Sequence, residues 1–220
     1  MKRLSRTKTV CLIASFATLV IASALCSCRR ETSDGRYWGL MSDIAMLRIG
    51  SDSCVQELIL DSGERYEVPH RVSAGMRDTT LRCFVSYSKE EGGRVALYSL
   101  KRAFTQAAYP AESFKLQNAG SGENWVGGLP RYPMKVVSMW KSGGYLNMHL
   151  GMLTTGTGKH TFAFCEDSVG CYSLLHLRPA NDMESYTEDA YLSMPFPEGE
   201  DSVRFTVYTY DGLYSKTFYK

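Results

Sequence analysis

VRFTVYTYDGLYSKTFY, residues 203–219, reads as two strand-like runs, Val203 to Tyr210 and Leu213 to Tyr219, joined by Asp211-Gly212. That dipeptide takes the positive φ angles of a tight turn whose twist matches paired strands, so the stretch predicts a hairpin. The same punctuation recurs upstream. Val136 to Trp140 runs into Lys141-Ser142-Gly143-Gly144, and Tyr145 to Leu150 then places Leu146, Met148 and Leu150 on one face and Tyr145, Asn147 and His149 on the other. His160 to Cys165, Tyr172 to Arg178 and Tyr191 to Phe196 supply further runs. About seven short strands over residues 134–220 predict a β-sandwich.

Residues 37–110 alternate with the same period of two. Val55, Leu58 and Leu60 precede Asp61-Ser62-Gly63, and Tyr66 and Val68 follow, so residues 54–69 form one predicted hairpin. Leu81, Cys83, Val85 and Tyr87 alternate with Arg82, Phe84, Ser86 and Ser88, and a turn around Gly92-Gly93 leads into Val95 and Leu97. About five short strands with no convincing helix suit a small closed or nearly closed barrel, which leaves no free sheet edge. Between the two regions lie many Gly and Pro breakers, including Gly127-Gly128-Leu129-Pro130. Residues 111–133 are therefore expected to be a linker, with room for a short strand at Ser113 to Leu116. The fold class is all-β.

The amino terminus addresses the chain. A basic opening from Lys2 to Lys8 precedes the apolar run Val10 to Leu25, the plan of a secretory signal peptide. Leu25 at −3, Ser27 at −1 and Cys28 next resemble a bacterial lipobox, which implies a signal peptide over residues 1–27, lipidation of Cys28 and a tether over residues 28–36. Removing 27 of the 220 residues leaves 193, and because the removed part holds four basic and no acidic side chains, the net charge moves from +2 to −2. A near-neutral body without a basic run does not suit a nucleic-acid partner. Cys54, Cys83, Cys165 and Cys171 then remain, an even number in an oxidising compartment, compatible with three pairings. We expect Cys165–Cys171 across a turn at Glu166 to Gly170, and Cys54–Cys83 within the barrel; four small buried thiols are the simpler alternative.

Catalytic signals are absent from the sequence. His70, His149, His160 and His176 lack the spacing of a zinc hydrolase helix. His149, His160 and His176 lie on neighbouring predicted strands, but capped or surface histidines explain them more simply than a metal. The carboxylate pairs Glu90-Glu91 and Glu166-Asp167 fall in predicted turns, where solvation makes them poor general acids. No nucleophile elbow or P-loop occurs, so no catalytic residue, metal or cofactor is assigned. Aromatic residues are the better lead. Trp125, Trp140 and Tyr145 sit near predicted turns or the linker and suit stacking on a glycan or gripping a protein, although core packing is their commoner use.

Trp140-Lys141-Ser142-Gly143-Gly144-Tyr145-Leu146-Asn147, the later His160-Thr161-Phe162, and Leu175-His176-Leu177-Arg178 followed by Asn181-Asp182 resemble the NigD-like lipoproteins of Bacteroidota. The resemblance covers about residues 36–220 and implies a lipoprotein signal, an amino-terminal OB-type barrel and a carboxy-terminal β-sandwich. It implies no defined activity; the family name is linked to bacteriocin gene clusters, which hints at an immunity or accessory role. Arg29-Arg30-Glu31 stands where surface-exported relatives often carry an acidic run, leaving the periplasmic and surface sides of the outer membrane both open. The expectation is a non-enzymatic envelope lipoprotein, anchored through its lipid, that binds a partner protein through strand edges or the face around Tyr208, Tyr210 and Tyr214. Glycan capture and envelope hydrolysis are the alternatives.

Overall fold

The structure, a computed structural model, describes residues 39–115 and 124–220. The predicted signal peptide, Cys28 and the tether lie outside the described residues. Among the described residues no helix is long and apolar enough to cross a membrane.

Five strands close a barrel: β1 (Met41–Ile49), β2 (Val55–Leu60), β3 (Arg65–Glu67), β4 (Thr79–Glu90) and β5 (Arg94–Arg102), in the spatial order β1-β2-β3-β5-β4. This is OB-type connectivity, with β3 meeting β5 in parallel at Glu67 and Arg94 and the other pairs antiparallel. Alternate residues point inward, so Ala45, Leu47 and Ile49 of β1 meet Leu81, Cys83, Val85 and Tyr87 of β4 in the barrel core. The intervening residues of β4 point outward, and Arg82 among them is nevertheless 4% exposed.

The rest is a two-layer sandwich. One sheet runs β10-β11-β14-β6, from β10 (Lys135–Ser142), β11 (Tyr145–Thr154), β14 (Tyr186–Pro195) and β6 (Phe104–Thr105). The other runs β16-β15-β13-β12-β7, from β16 (Gly212–Tyr219), β15 (Ser202–Thr209), β13 (Cys171–Leu177), β12 (Thr161–Ser168) and β7 (Tyr109–Pro110). Met148, Leu150, Leu192 and Met194 of the first meet Phe164, Leu174, Phe205 and Val207 of the second in one apolar core. The outer edges β10 and β16 are laced by two lysines: Lys216 Nζ donates to the Met139 carbonyl at 2.6 Å and Lys141 Nζ to that of Tyr219 at 2.9 Å.

Residues 104–110, expected with the barrel, pair instead with the sandwich: β6 lies parallel to β14 and β7 parallel to β12. Two-residue strands leave no period to read. A short helix α1 (Ala111–Lys115) takes the place of the strand expected from Ser113, and β8 (Trp125–Val126) and β9 (Leu129–Pro130) make a separate small hairpin.

Neither expected disulfide is present; Cys54, Cys83, Cys165 and Cys171 are all free. The β12–β13 hairpin turns at Val169-Gly170, so Cys171 faces Ser168 while Cys165, further back, faces Ser173. In the barrel, Cys83 faces Ala45, whereas Cys54 lies beyond Ile49 at the far end of β1. Four residues of strand separate those positions by roughly 13 Å, beyond the reach of a disulfide.

Candidate functional site

The outer face of the β10-β11-β14 sheet docks on the barrel, and a buried charge network keys the two together. Arg82 of β4 reaches across with its side chain 1% exposed. Its guanidinium donates to Asp61 Oδ1 at 2.9 Å and Oδ2 at 2.7 Å, to Asn147 Oδ1 at 2.9 Å and to Ser193 Oγ at 3.0 Å, and lies 4.0 Å over the Tyr145 ring. Ser142 Oγ donates to Asp61 Oδ2 at 2.6 Å and accepts from Asn147 Nδ2 at 2.9 Å, so the polar groups satisfy one another. Gly143 lets the turn close on Asp61: its φ is +57°, and a Cβ there would sit 2.3 Å from Asp61 Oδ1.

Beside this key, Phe84 stacks on Tyr191 at 4.1 Å and Tyr191 on His149 at 4.6 Å. Trp140, half-buried, packs with them against Ile44 and Ala103. A groove of about 610 Å³ opens over these rings. Asp43, Glu64, Lys89 and Ser138 belong to its polar lining, as do Asp61 and Ser142 of the key, and the Tyr87 hydroxyl donates to Asp43 Oδ2 at 2.9 Å, fixing that carboxylate.

A second buried network lies at the far end of the sandwich. Tyr132 O can only accept, so His176 Nδ1 carries the proton of their 3.1 Å bond. His176 Nε2 is then a lone pair, and His160 Nδ1 donates to it at 2.8 Å. His160 Nε2 donates in turn to Asp182 Oδ2 at 2.7 Å. Thr155 gives Asp182 its backbone N–H at 2.8 Å and its hydroxyl at 2.6 Å. Burial alone would raise the Asp182 carboxyl, but the hydrogen bonds from Thr155, Thr154 and His160 outweigh it and hold the group well below the usual carboxylate range. His160 therefore bridges the Asp182 carboxylate and the His176 lone pair. Burial, with the neighbouring charges of His160 and Arg178, pushes His176 down to about 4 against the Tyr132 carbonyl's opposing pull. The chain resembles an acid–base relay, yet every ring nitrogen in it is engaged, so none is left to take a proton from a substrate.

The residues singled out in the sequence separate. Trp140 lines the groove; Tyr145 is committed to Arg82; Trp125 pairs with Pro130 in the β8–β9 hairpin, away from both. His160 and His176 meet, whereas His149 bonds Asp189 at 2.8 Å elsewhere. Tyr210 and Tyr214 are 42% and 40% exposed, while Tyr208 sits under the Arg131 guanidinium at 4.8 Å. Arg82, Asp61 and Asp43 went unread, because an arginine on the outward face of an alternating strand looks like any solvated one.

Among solved structures, a NigD-like immunity protein from Bacteroides caccae matches at 26% identity and a TM-score of 0.61, over 82% of this chain and 93% of its own. The chain is NigD-like in fold. A protein of unknown function, DUF1344, from Bacteroides vulgatus shares the NigD-like architecture at 16% identity and a TM-score of 0.56, over 82% of this chain and 91% of its own. A provisionally named lipoprotein of Bacteroides fragilis does so at 8% identity and a TM-score of 0.51, over 81% and 96%. No family model and no curated protein matches the sequence. The stretches that carry the NigD-like resemblance build both networks: Ser142, Gly143, Tyr145 and Asn147 receive Arg82 and Asp61, and His160, His176 and Asp182 form the relay-like chain.

Proposed function

We propose that this NigD-like chain is a cell-envelope lipoprotein, anchored through Cys28, that acts as a non-enzymatic binding or accessory module, with the groove over Trp140 as its contact surface for a partner protein of the envelope. The observation that carries the reading is the groove itself: an aromatic floor beside a fixed carboxylate, held on a keyed barrel–sandwich junction. The engaged His160–His176–Asp182 chain supports the absence of turnover, since this buried acid–base cluster has no free nitrogen. A NigD-like immunity protein among the structural neighbours agrees with an accessory role.

Chemical cross-linking of the native lipoprotein in membranes, followed by mass spectrometry, tests the reading. A stoichiometric envelope partner that is lost in Trp140→Ala but kept in Trp125→Ala is expected. Capture that is indifferent to Trp140→Ala refutes the surface, and turnover of any substrate in a hydrolase panel refutes the non-enzymatic reading. Glycan capture is the second reading, favoured by the Trp140 ring beside Asp43 and Ser138. Its signature is glycan-array binding that falls in Trp140→Ala and Asp43→Asn.

A further inference from the structure

Several basic side chains of this surface are neutralised by carboxylates. Arg48 and Arg65 pair with Glu57, Lys101 with Glu188, and Arg178 with Glu184. Arg102 and Lys159 are among the basic side chains that, in the described residues, have no carboxylate partner, and Arg102 Nη1 rests only against Met76 Sδ at 3.8 Å. The two flank one groove of about 490 Å³ where the end of the barrel meets the start of β12. No acidic side chain lines it. Phe104 and Phe162 form its floor, their ring centroids 6.0 Å apart, and Phe162 is backed by His176 at 5.1 Å, which fixes the ring. His160 closes the inner end, bonded to Asp182 at 2.7 Å, and Thr105 and Thr161 add hydroxyls.

Two uncompensated cations over an aromatic floor attract a negative charge and shelter an apolar group in the same place. We propose that this groove binds a small anion carried on an apolar body, an aryl or alkyl phosphate or carboxylate, with Arg102 and Lys159 holding the anion and Phe104 and Phe162 the body. The site is separate from the groove over Trp140 and does not depend on the reading of that groove.

Calorimetry on the full chain in phosphatidylcholine nanodiscs, with phenyl phosphate as the probe, tests it. Saturable binding is expected, weakened about tenfold or more in Arg102→Gln and again in Lys159→Gln, while Arg102→Lys keeps part of the affinity. Both side chains are exposed, so the thermal melts of the variants should match that of the unaltered chain and separate lost contacts from lost folding. Discs containing phosphatidylglycerol distinguish the sources of the ligand: competition with phenyl phosphate marks a membrane lipid, and no competition marks a soluble one. The proposal is overturned by equal binding of benzylammonium, by inorganic phosphate binding as tightly as phenyl phosphate, or by a double glutamine variant with unchanged affinity.

Discussion

Acid should loosen this protein through His176, by an amount the structure sets. The folded ring is pushed from its ordinary 6.5 down to about 4, chiefly by burial and then by the charges of His160 and Arg178. Above 6.5 the ring is neutral in both the folded and the unfolded chain and adds no pH dependence. Between 6.5 and 4 the unfolded chain takes up a proton that the folded chain refuses, so stability falls as pH falls through this window and levels off below it. At about 1.4 kcal/mol per pKa unit the total is about 3 kcal/mol, a large part of the stability of a typical domain. The structural cost is visible: a proton on His176 Nε2 would point at the N–H of His160 Nδ1, now 2.8 Å away and donating. Urea unfolding of the native chain and of His176→Gln, at matched pH from 7.5 to 4, isolates the effect, because other titrating groups cancel in the difference. The native chain should lose its advantage over the variant across that window. A flat difference, or an advantage that grows on acidification, would refute the assignment of a His176 ring held neutral by its burial.

The Arg82 key makes an asymmetric prediction for urea unfolding. Asp61→Ala leaves a buried guanidinium without its carboxylate and should cost about 3–5 kcal/mol, whereas Arg82→Met with Asp61→Leu should cost much less; equal losses would show that the network has no shared energetics. Gly143→Ala drives a Cβ to 2.3 Å from Asp61 Oδ1 at a φ of +57°, so it should lower the melting temperature, while Gly199→Ala, with open space around its Cβ, should lower it less. Intact mass without reductant should show all four thiols of Cys54, Cys83, Cys165 and Cys171 protonated. Cys83 and Cys165, pushed up by burial to about 11 and about 12, should resist iodoacetamide at pH 8 until the chain is unfolded.

Alternation made the strands legible because one side chain in two must leave water. The Asp211-Gly212 hairpin and the Leu146, Met148, Leu150 face are where the period puts them. Alternation cannot tell what covers the opposite face. Tyr145, Asn147 and His149 share a side in the sequence, yet only the fold reveals that the side belongs to the barrel junction, where Asn147 is wholly buried. Arg82 escaped for the same reason. The Cys165–Cys171 expectation failed on turn length: five residues separate the two, but the chain reverses within Val169-Gly170 and carries each strand past the other's cysteine. The relay-like chain was half legible, with His160, His176 and Asp182 all inside the stretches that carried the resemblance, although their contact depends on which strands neighbour one another and on the loop that returns Asp182.

The Arg82–Asp61 key bears on how a molecule of this build can respond to a load on either part. Swinging the barrel off the sandwich would leave Arg82 its Asp61 carboxylate, which belongs to the same barrel, but would strip the guanidinium of Asn147, Ser193 and the Tyr145 ring and Asp61 of the Ser142 hydroxyl. Anything held in the groove over Trp140 would therefore meet two arms keyed together beneath it.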